Sequence, residues 1–288
     1  MHSCYLYKNL GDIMKAYKLD TYNTIYFWLN NIFKPVLIYE LIFYIINYFM
    51  FKEVEIYNQY AQFIALIINI IFILFYYIYE RLNQEHSRLI YKSYIYYVKE
   101  YIYTKKNVVK EIGIKTICLS LIFGIILALS LNILIILIIG VENSSVQYEW
   151  NWNTEFIVKN IIKALSIVIL APLAEEFLFR GILFNQLLKK YSANVAVIIS
   201  AIIFGIFHGQ LWQGIYACFI GLIAAYVYFK RKSILLPICI HIGCNLMSLL
   251  ANVAIQEGVI VMDTTVFVII CIAGSISGVF MLLRLCDM

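Results

Sequence analysis

The chain has 288 residues, 63% of them hydrophobic and only 14% charged, with a mean hydropathy of +0.84. Soluble domains run at about 25% charged and about 45–50% apolar residues, so this composition excludes a soluble enzyme and describes an integral membrane protein. The formal charge of +5 is modest and nothing in its placement points to nucleic acid.

With three prolines and thirteen glycines and no alternating apolar pattern, the expected fold is all-α, a polytopic bundle rather than a barrel. A helix needs roughly 20 mainly apolar residues to cross a bilayer. Spans are predicted near 26–51, 60–79, 112–140, 156–187, 194–213, 215–229, 234–256 and 259–283. Lys34, Pro35 and Glu40 interrupt the first, and Gln210-Leu-Trp-Gln-Gly214 couples the fifth to the sixth. No signal peptide is evident in the polar opening residues.

Basic residues orient these eight spans. Lys8, Lys15 and Lys18 precede the first, and Arg81, Arg88, Lys92, Lys99, Lys105, Lys106 and Lys110 follow the second. Lys189 and Lys190 follow the fourth, Lys230, Arg231 and Lys232 the sixth, and Arg284 the eighth, whereas the alternate connections hold Lys52 alone. The positive-inside rule then places both termini in the cytoplasm of a multi-pass cell-membrane protein.

Between the second and third spans, Tyr91, Tyr94, Ile95, Val98, Tyr101 and Ile102 recur at helical spacing. With Lys92, Lys99 and Lys106 this reads as an amphipathic helix on the cytoplasmic leaflet, the alternative being a helical extension of a span into water. The polar connection 141–155, with Trp150 and Trp152 as interfacial anchors, divides N-terminal membrane helices (1–140) from a core (156–256) and a last span (257–288). The seven cysteines (4, 118, 218, 239, 244, 271 and 286) show neither metal-finger spacing nor a disulfide framework.

Three polar clusters interrupt the core spans: Glu175-Glu176-Phe-Leu-Phe-Arg180, Phe204-Gly-Ile-Phe-His208 and His241-Ile-Gly-Cys-Asn245. Ionisable residues at membrane depth are expensive and mark function by default. Glu176 and Arg180 stand four apart and share a helix face, so the arginine neutralises that carboxylate. Glu175 points about 100° away without an intrahelical partner. Desolvation strengthens such an unpaired carboxylate as a base, so Glu175 is assigned the chemistry and Glu176–Arg180 the support. The competing reading makes all three one stabilising ionic knot.

Pro172 removes a backbone donor from the carbonyl four residues upstream, at Val168, and can kink the helix there. His208 sits in the small-residue series Ala201, Gly205, Gly209, which admits a close partner helix. Its alternative role is an interhelical hydrogen bond. His241 and Asn245 share one face and are suited to donating two hydrogen bonds to an oxyanion, or to plain interhelical bonding. Counted by helical rise from the basic markers, Glu175 and Asn245 lie roughly 20 Å deep and His208 roughly 25 Å, so the three spans can meet at one level.

The ordered set Glu-Glu-x-x-x-Arg, Phe-x-x-x-His and His-x-x-x-Asn resembles the CAAX-processing and bacteriocin-processing (CPBP or Abi) intramembrane proteases, over roughly 156–256. The resemblance implies an endopeptidase of the type II CAAX prenyl kind, acting on a membrane-embedded or lipidated peptide. By motif position, Glu175 would activate water with His208, His241 and Asn245 would bind the oxyanion, and Glu176, Arg180 and Phe204 would support the site. Members are usually labelled metalloproteases. A zinc ion would take Glu175, His208 and His241 with water in the fourth position, but the HExxH spacing of zincins is absent, and a metal-free glutamate route is favoured. A non-catalytic binding or immunity protein and a small transporter are the other readings.

Overall fold

The computed structural model describes residues 28–34, 36–39, 41, 67–72, 74, 95–139, 157–257 and 264–287. Those residues form an all-α bundle with no strand among them. Its helices are α1 (Ile95–Ile139), α2 (the run 157–187), α3 (Ala193–Phe207), α4 (Leu211–Arg231), α5 (Leu235–Gln256) and α6 (Thr264–Asp287). A π-helical turn, Trp28–Phe33, precedes them.

Among the described residues, four helices are long and apolar enough to cross a membrane: Ile112–Ile138, Leu211–Arg231, Leu235–Ile255 and Val268–Cys286. The first two of the eight expected spans fall largely outside the described residues, as do residues 80–94 of the expected interfacial segment and the connection 141–155. The rest of that segment, from Ile95, runs into the third span as one helical path broken at Gly113, whose φ of 66° and ψ of 146° are open only to glycine at low cost.

The fifth and sixth spans are redrawn. Helix α3 stops at Phe207, His208 caps it, and Gly209 turns the chain at φ 70°. Helix α4 begins at Leu211, so Leu-Trp-Gln-Gly is its first turn and not a connection. Gly209 therefore leaves the predicted small-residue stripe; a Cβ there would meet nothing within 4 Å. The remainder of the stripe does its predicted work. A Cβ on Gly205 would lie 2.6 Å from the Gly214 carbonyl oxygen, and one on Gly214 2.8 Å from that of Gly205. These two glycines set the approach of α3 to α4.

Helix α5 packs most extensively on α1, through Gly124 and Gly243, where an added Cβ would collide with the backbone of Ile240 and Leu121 respectively. Backbone contact of this kind is how helices associate in lipid, where no hydrophobic force draws them together. Two apolar clusters hold the bundle. Leu178, Phe179, Leu183, Phe184 and Phe204 centre one on α2 and α3, and Phe123, Ile220, Leu236, Ile240 and Cys244 centre the other between α1, α4 and α5. The polar clusters lie where these meet.

Candidate active site

Helix α2 is not a uniform α-helix. Ser166–Leu170 and Phe177–Phe184 are π-helical and bracket the α-helical Ala171–Glu176. π-turns are rare and frequent at functional sites. Here the first has an identifiable consequence. The Ala171 N–H donates to the Ser166 carbonyl, five residues back. In that register the next donor, for the Ile167 carbonyl, would come from residue 172, which is proline and has none. Asn245 Nδ2 of α5 donates to the Ile167 oxygen instead, at 2.8 Å. The carbonyl that Pro172 strands is thus one residue earlier than α-helical counting predicts, and Asn245 satisfies it through the interhelical bonding that was the alternative to its oxyanion role.

The expected ion pair is present. Arg180 Nε lies 3.1 Å from Glu176 Oε2, with both side chains wholly buried. Arg180 Nη2 also donates to the Gly221 carbonyl at 3.2 Å, which ties α2 to α4. Its guanidinium carbon stands over the Phe204 ring, 4.7 Å from its centre, within the range at which a cation is drawn to an aromatic face, the more so when desolvated. Phe204 lies edge-on to the rings of His208 at 4.8 Å and His241 at 5.7 Å. One phenyl ring thereby fixes the spacing of all three cationic or imidazole groups.

His241 sits between the two carboxylates. Its Nδ1 is 3.0 Å from Glu176 Oε1 and its Nε2 3.8 Å from Glu175 Oε2. The acidic oxygen can only accept, so Nδ1 carries the proton, and Nε2 is the atom left on the Glu175 side. The Glu176–Arg180 pair is therefore a triad with His241, a link 65 residues long that helical spacing could not reveal. Glu175 is 14% exposed against 0% for Glu176, and its buried Oε2 has no hydrogen-bond partner among the described residues.

His208 Nδ1 donates to the Phe204 carbonyl at 2.8 Å, because a carbonyl accepts only. With Nδ1 so engaged, Nε2 is the ring nitrogen available to water or substrate among the described residues. Glu175, His208, His241 and Asn245 all line one cavity of about 240 Å³, together with Phe204. Asn132, Tyr216, Ser248 and Asn252 extend its polar wall. Ser248 Oγ accepts from Asn132 Nδ2 and meets Tyr216 OH, each at 3.1 Å. The sequence reading missed this shelf. Its signals were Asn132 and Asn252, amides inside apolar spans.

The zinc set is not assembled. Among the described residues no three His, Cys, Asp or Glu side chains stand together closely enough to hold a metal ion. The residues present do not fit the three-ligand site that the motif allowed.

One carboxylate, two histidines and an asparagine thus line one cavity, and the stretch that carries them has known relatives. Residues 157–247 match the model described as Type II CAAX prenyl endopeptidase Rce1-like. Every candidate residue from Glu175 to Asn245 falls inside this Rce1-like segment. The chain is 34% identical over 98 residues to "Putative membrane peptidase YdiL" of Bacillus subtilis (strain 168), covering 32% of this chain and 40% of that protein. It is 32% identical over 96 residues to an uncharacterized 24.3 kDa protein of Escherichia coli, covering 31% and 44%. UPF0177 protein YxdF of Lactococcus lactis subsp. lactis (strain IL1403) is 33% identical over 79 residues, covering 27% and 43%. The chain thus spans less than half the length of these relatives. No solved structure matches it significantly.

Proposed function

We propose that the protein is an intramembrane endopeptidase that hydrolyses a peptide bond with water activated by Glu175. The observation that carries this reading is a buried carboxylate oxygen, Glu175 Oε2, with no hydrogen bond among the described residues, 3.8 Å from His241 Nε2 on the wall of a cavity also lined by His208 and Asn245.

In this mechanism Glu175 and Nε2 of His208 hold a water molecule beside the scissile carbonyl. Glu175 takes its proton as the water oxygen bonds to the carbonyl carbon. The oxyanion that forms faces Asn245, whose amide nitrogen has a second N–H beyond the one given to Ile167. His241 Nε2 stands on the same side. The proton held by Glu175 then passes to the departing amine nitrogen as the C–N bond breaks, leaving a carboxylic acid and an amine. Glu176 and Arg180 do no bond chemistry here; with Phe204 they hold His241 and keep the site in one arrangement. The substrate is a membrane-associated peptide, of the prenylated CAAX kind or an unmodified leader segment.

Membrane-peptide profiles of cells carrying the wild-type chain or Glu175→Gln test the reading. A peptide product present only with the wild type is expected. Identical profiles, with both proteins folded and at equal level, would favour a non-catalytic binding role.

A further inference from the structure

The polar shelf beside the site does more than join helices. His241, Asn245, Ser248 and Asn252 follow one another at intervals of four, three and four residues and all line the cavity, so α5 presents one polar stripe to it. Ser248 organises the far half of that stripe. Its Oγ accepts from Asn132 Nδ2 of α1 and meets Tyr216 OH of α4, each at 3.1 Å, and its carbonyl accepts from Asn252 Nδ2 at 2.9 Å.

Each of the two amides gives Ser248 a single N–H. Asn132 and Asn252 therefore each keep a second N–H and a carbonyl oxygen that have no hydrogen bond among the described residues. Asn132 and Ser248 tie two helices together, as polar side chains do in lipid. Asn252 ties none, because its bond returns to its own helix. An amide kept inside a membrane-crossing stretch without a packing role marks function.

The shelf offers a donor and an acceptor side by side, twice over, and no charge. That complements a peptide unit, which carries one N–H and one C=O. No lysine or arginine lines the cavity among the described residues, so the shelf is not built for a phosphate or a carboxylate. A helical substrate has to unwind before water can reach its scissile carbonyl, and the backbone groups it releases find no partner in lipid. The rise from Asn245 to Asn252 is roughly 10 Å, the reach of about three residues of extended chain.

We propose that Asn132 and Asn252, positioned by Ser248, bind one peptide unit of the unwound substrate about three residues from the bond that is cleaved. Ile135, Ile136 and Leu249 of the same cavity take the apolar side chains beside it. The subsite stands on the two amides; that the bound chain is cut beside Asn245 rests on the proposed hydrolysis.

The test uses the full chain in detergent with Glu175→Gln, so that bound peptide is not consumed. The probes are a panel of fluorescein-labelled peptides of leucine, valine and alanine, each with a series in which one backbone amide at a time becomes an ester. An ester deletes the N–H and weakens the carbonyl. Fluorescence anisotropy is expected to show one ester position that weakens binding by roughly three- to tenfold, the worth of one hydrogen bond. In Asn132→Leu or Asn252→Leu the parent peptide should bind that much more weakly, and the ester should cost nothing further. Both variants are expected to fold, since Ser248 Oγ keeps Tyr216 OH and its carbonyl stays within α5; should one melt early, the other carries the comparison. Absence of peptide binding, an ester series as tight as its parent, or an ester loss that persists in the leucine variants would overturn the subsite. Hydrolysis of the same peptides by the wild-type chain is read separately by mass spectrometry. No hydrolysis with the ester coupling intact refutes the enzyme and leaves the subsite standing, whereas hydrolysis without the coupling does the reverse. Where a peptide is cut, a sensitive ester adjoining the cut bond would also sink the proposal.

Discussion

His241 Nδ1 and Glu176 Oε1 lie 3.0 Å apart, with both side chains almost wholly removed from solvent. The sequence assigned His241 to the substrate and Glu176 to Arg180; the contact joins the two sets. His241→Phe keeps the ring but deletes this partner, and should lower both folded yield and turnover, since a partner lost from a buried charged network costs about 3–5 kcal/mol. Asn at 241, which can still donate to Glu176, should recover yield without recovering rate. Detergent melting beside a cleavage assay separates the two effects, and recovery of rate by His241→Asn would show that the Nε2 atom takes no part.

Arg180 makes an ion pair, a backbone hydrogen bond and a ring stack from one side chain. Lysine has neither the fork nor the planar face, so Arg180→Lys should be nearly as damaging to folded yield as Arg180→Ala. Equal melting temperatures for wild type and Arg180→Lys would show that charge alone suffices.

The adjacent glutamates should separate cleanly. Glu175→Gln keeps the shape but removes the base, and is expected to abolish cleavage in a folded protein. Glu176→Gln is expected to reduce stability first. The assignment is reversed if Glu175→Gln cleaves at near wild-type rate while a folded Glu176→Gln is dead. His208→Ala should approach the severity of Glu175→Gln.

Asn245→Ala should cost roughly the 10²–10³ in rate of a lost oxyanion donor. It should also destabilise the protein, because the Ile167 carbonyl loses the donor that α5 supplies. Pro172→Ala provides the control, since it restores a backbone N–H at the position where Ile167 lacks one. The double variant should regain stability but not activity; melting and rate measured on all three test it.

Gly205→Ala places a methyl group against the Gly214 carbonyl. Overpacking of this kind costs about 1–3 kcal/mol, and here it pushes α3 away from α4 one turn before His208. Reduced turnover with a lowered melting temperature is expected. Ser at 200, further from the contact, should tolerate alanine, and a Gly205→Ala protein indistinguishable from wild type would remove the glycine pair from the account.

Composition and apolar run length made the class legible, because a bilayer imposes one requirement on every helix that crosses it. The motif residues were legible because charge at depth is conspicuous. Glu176–Arg180 followed from i,i+4 spacing alone. What stayed hidden was of two kinds. The His241–Glu176 contact joins helices far apart in sequence, and periodicity within either helix carries no trace of it. The π-turns of α2 are the second kind. Nothing in Ser166–Leu170 announces a wider register, and so the stranded carbonyl was placed at Val168 rather than Ile167. The end of α3 was also misplaced, since the apolar run through Phe207 was read on across His208-Gly209-Gln210 into Leu211-Trp212, over a turn that one backbone angle decides.

The bond from Asn245 to Ile167 has a consequence for how this site can change over time. Pro172 and Asn245 lie on different helices, yet each supplies the condition the other depends on: one withholds a donor and the other provides it. A lineage that loses the proline frees the asparagine to swing away from the reaction, and one that loses the asparagine leaves a bare dipole inside lipid. The two positions are therefore expected to drift as a couple, and a redesign that transplants the glutamates without both partners should inherit a correctly spelled motif with a misdirected amide.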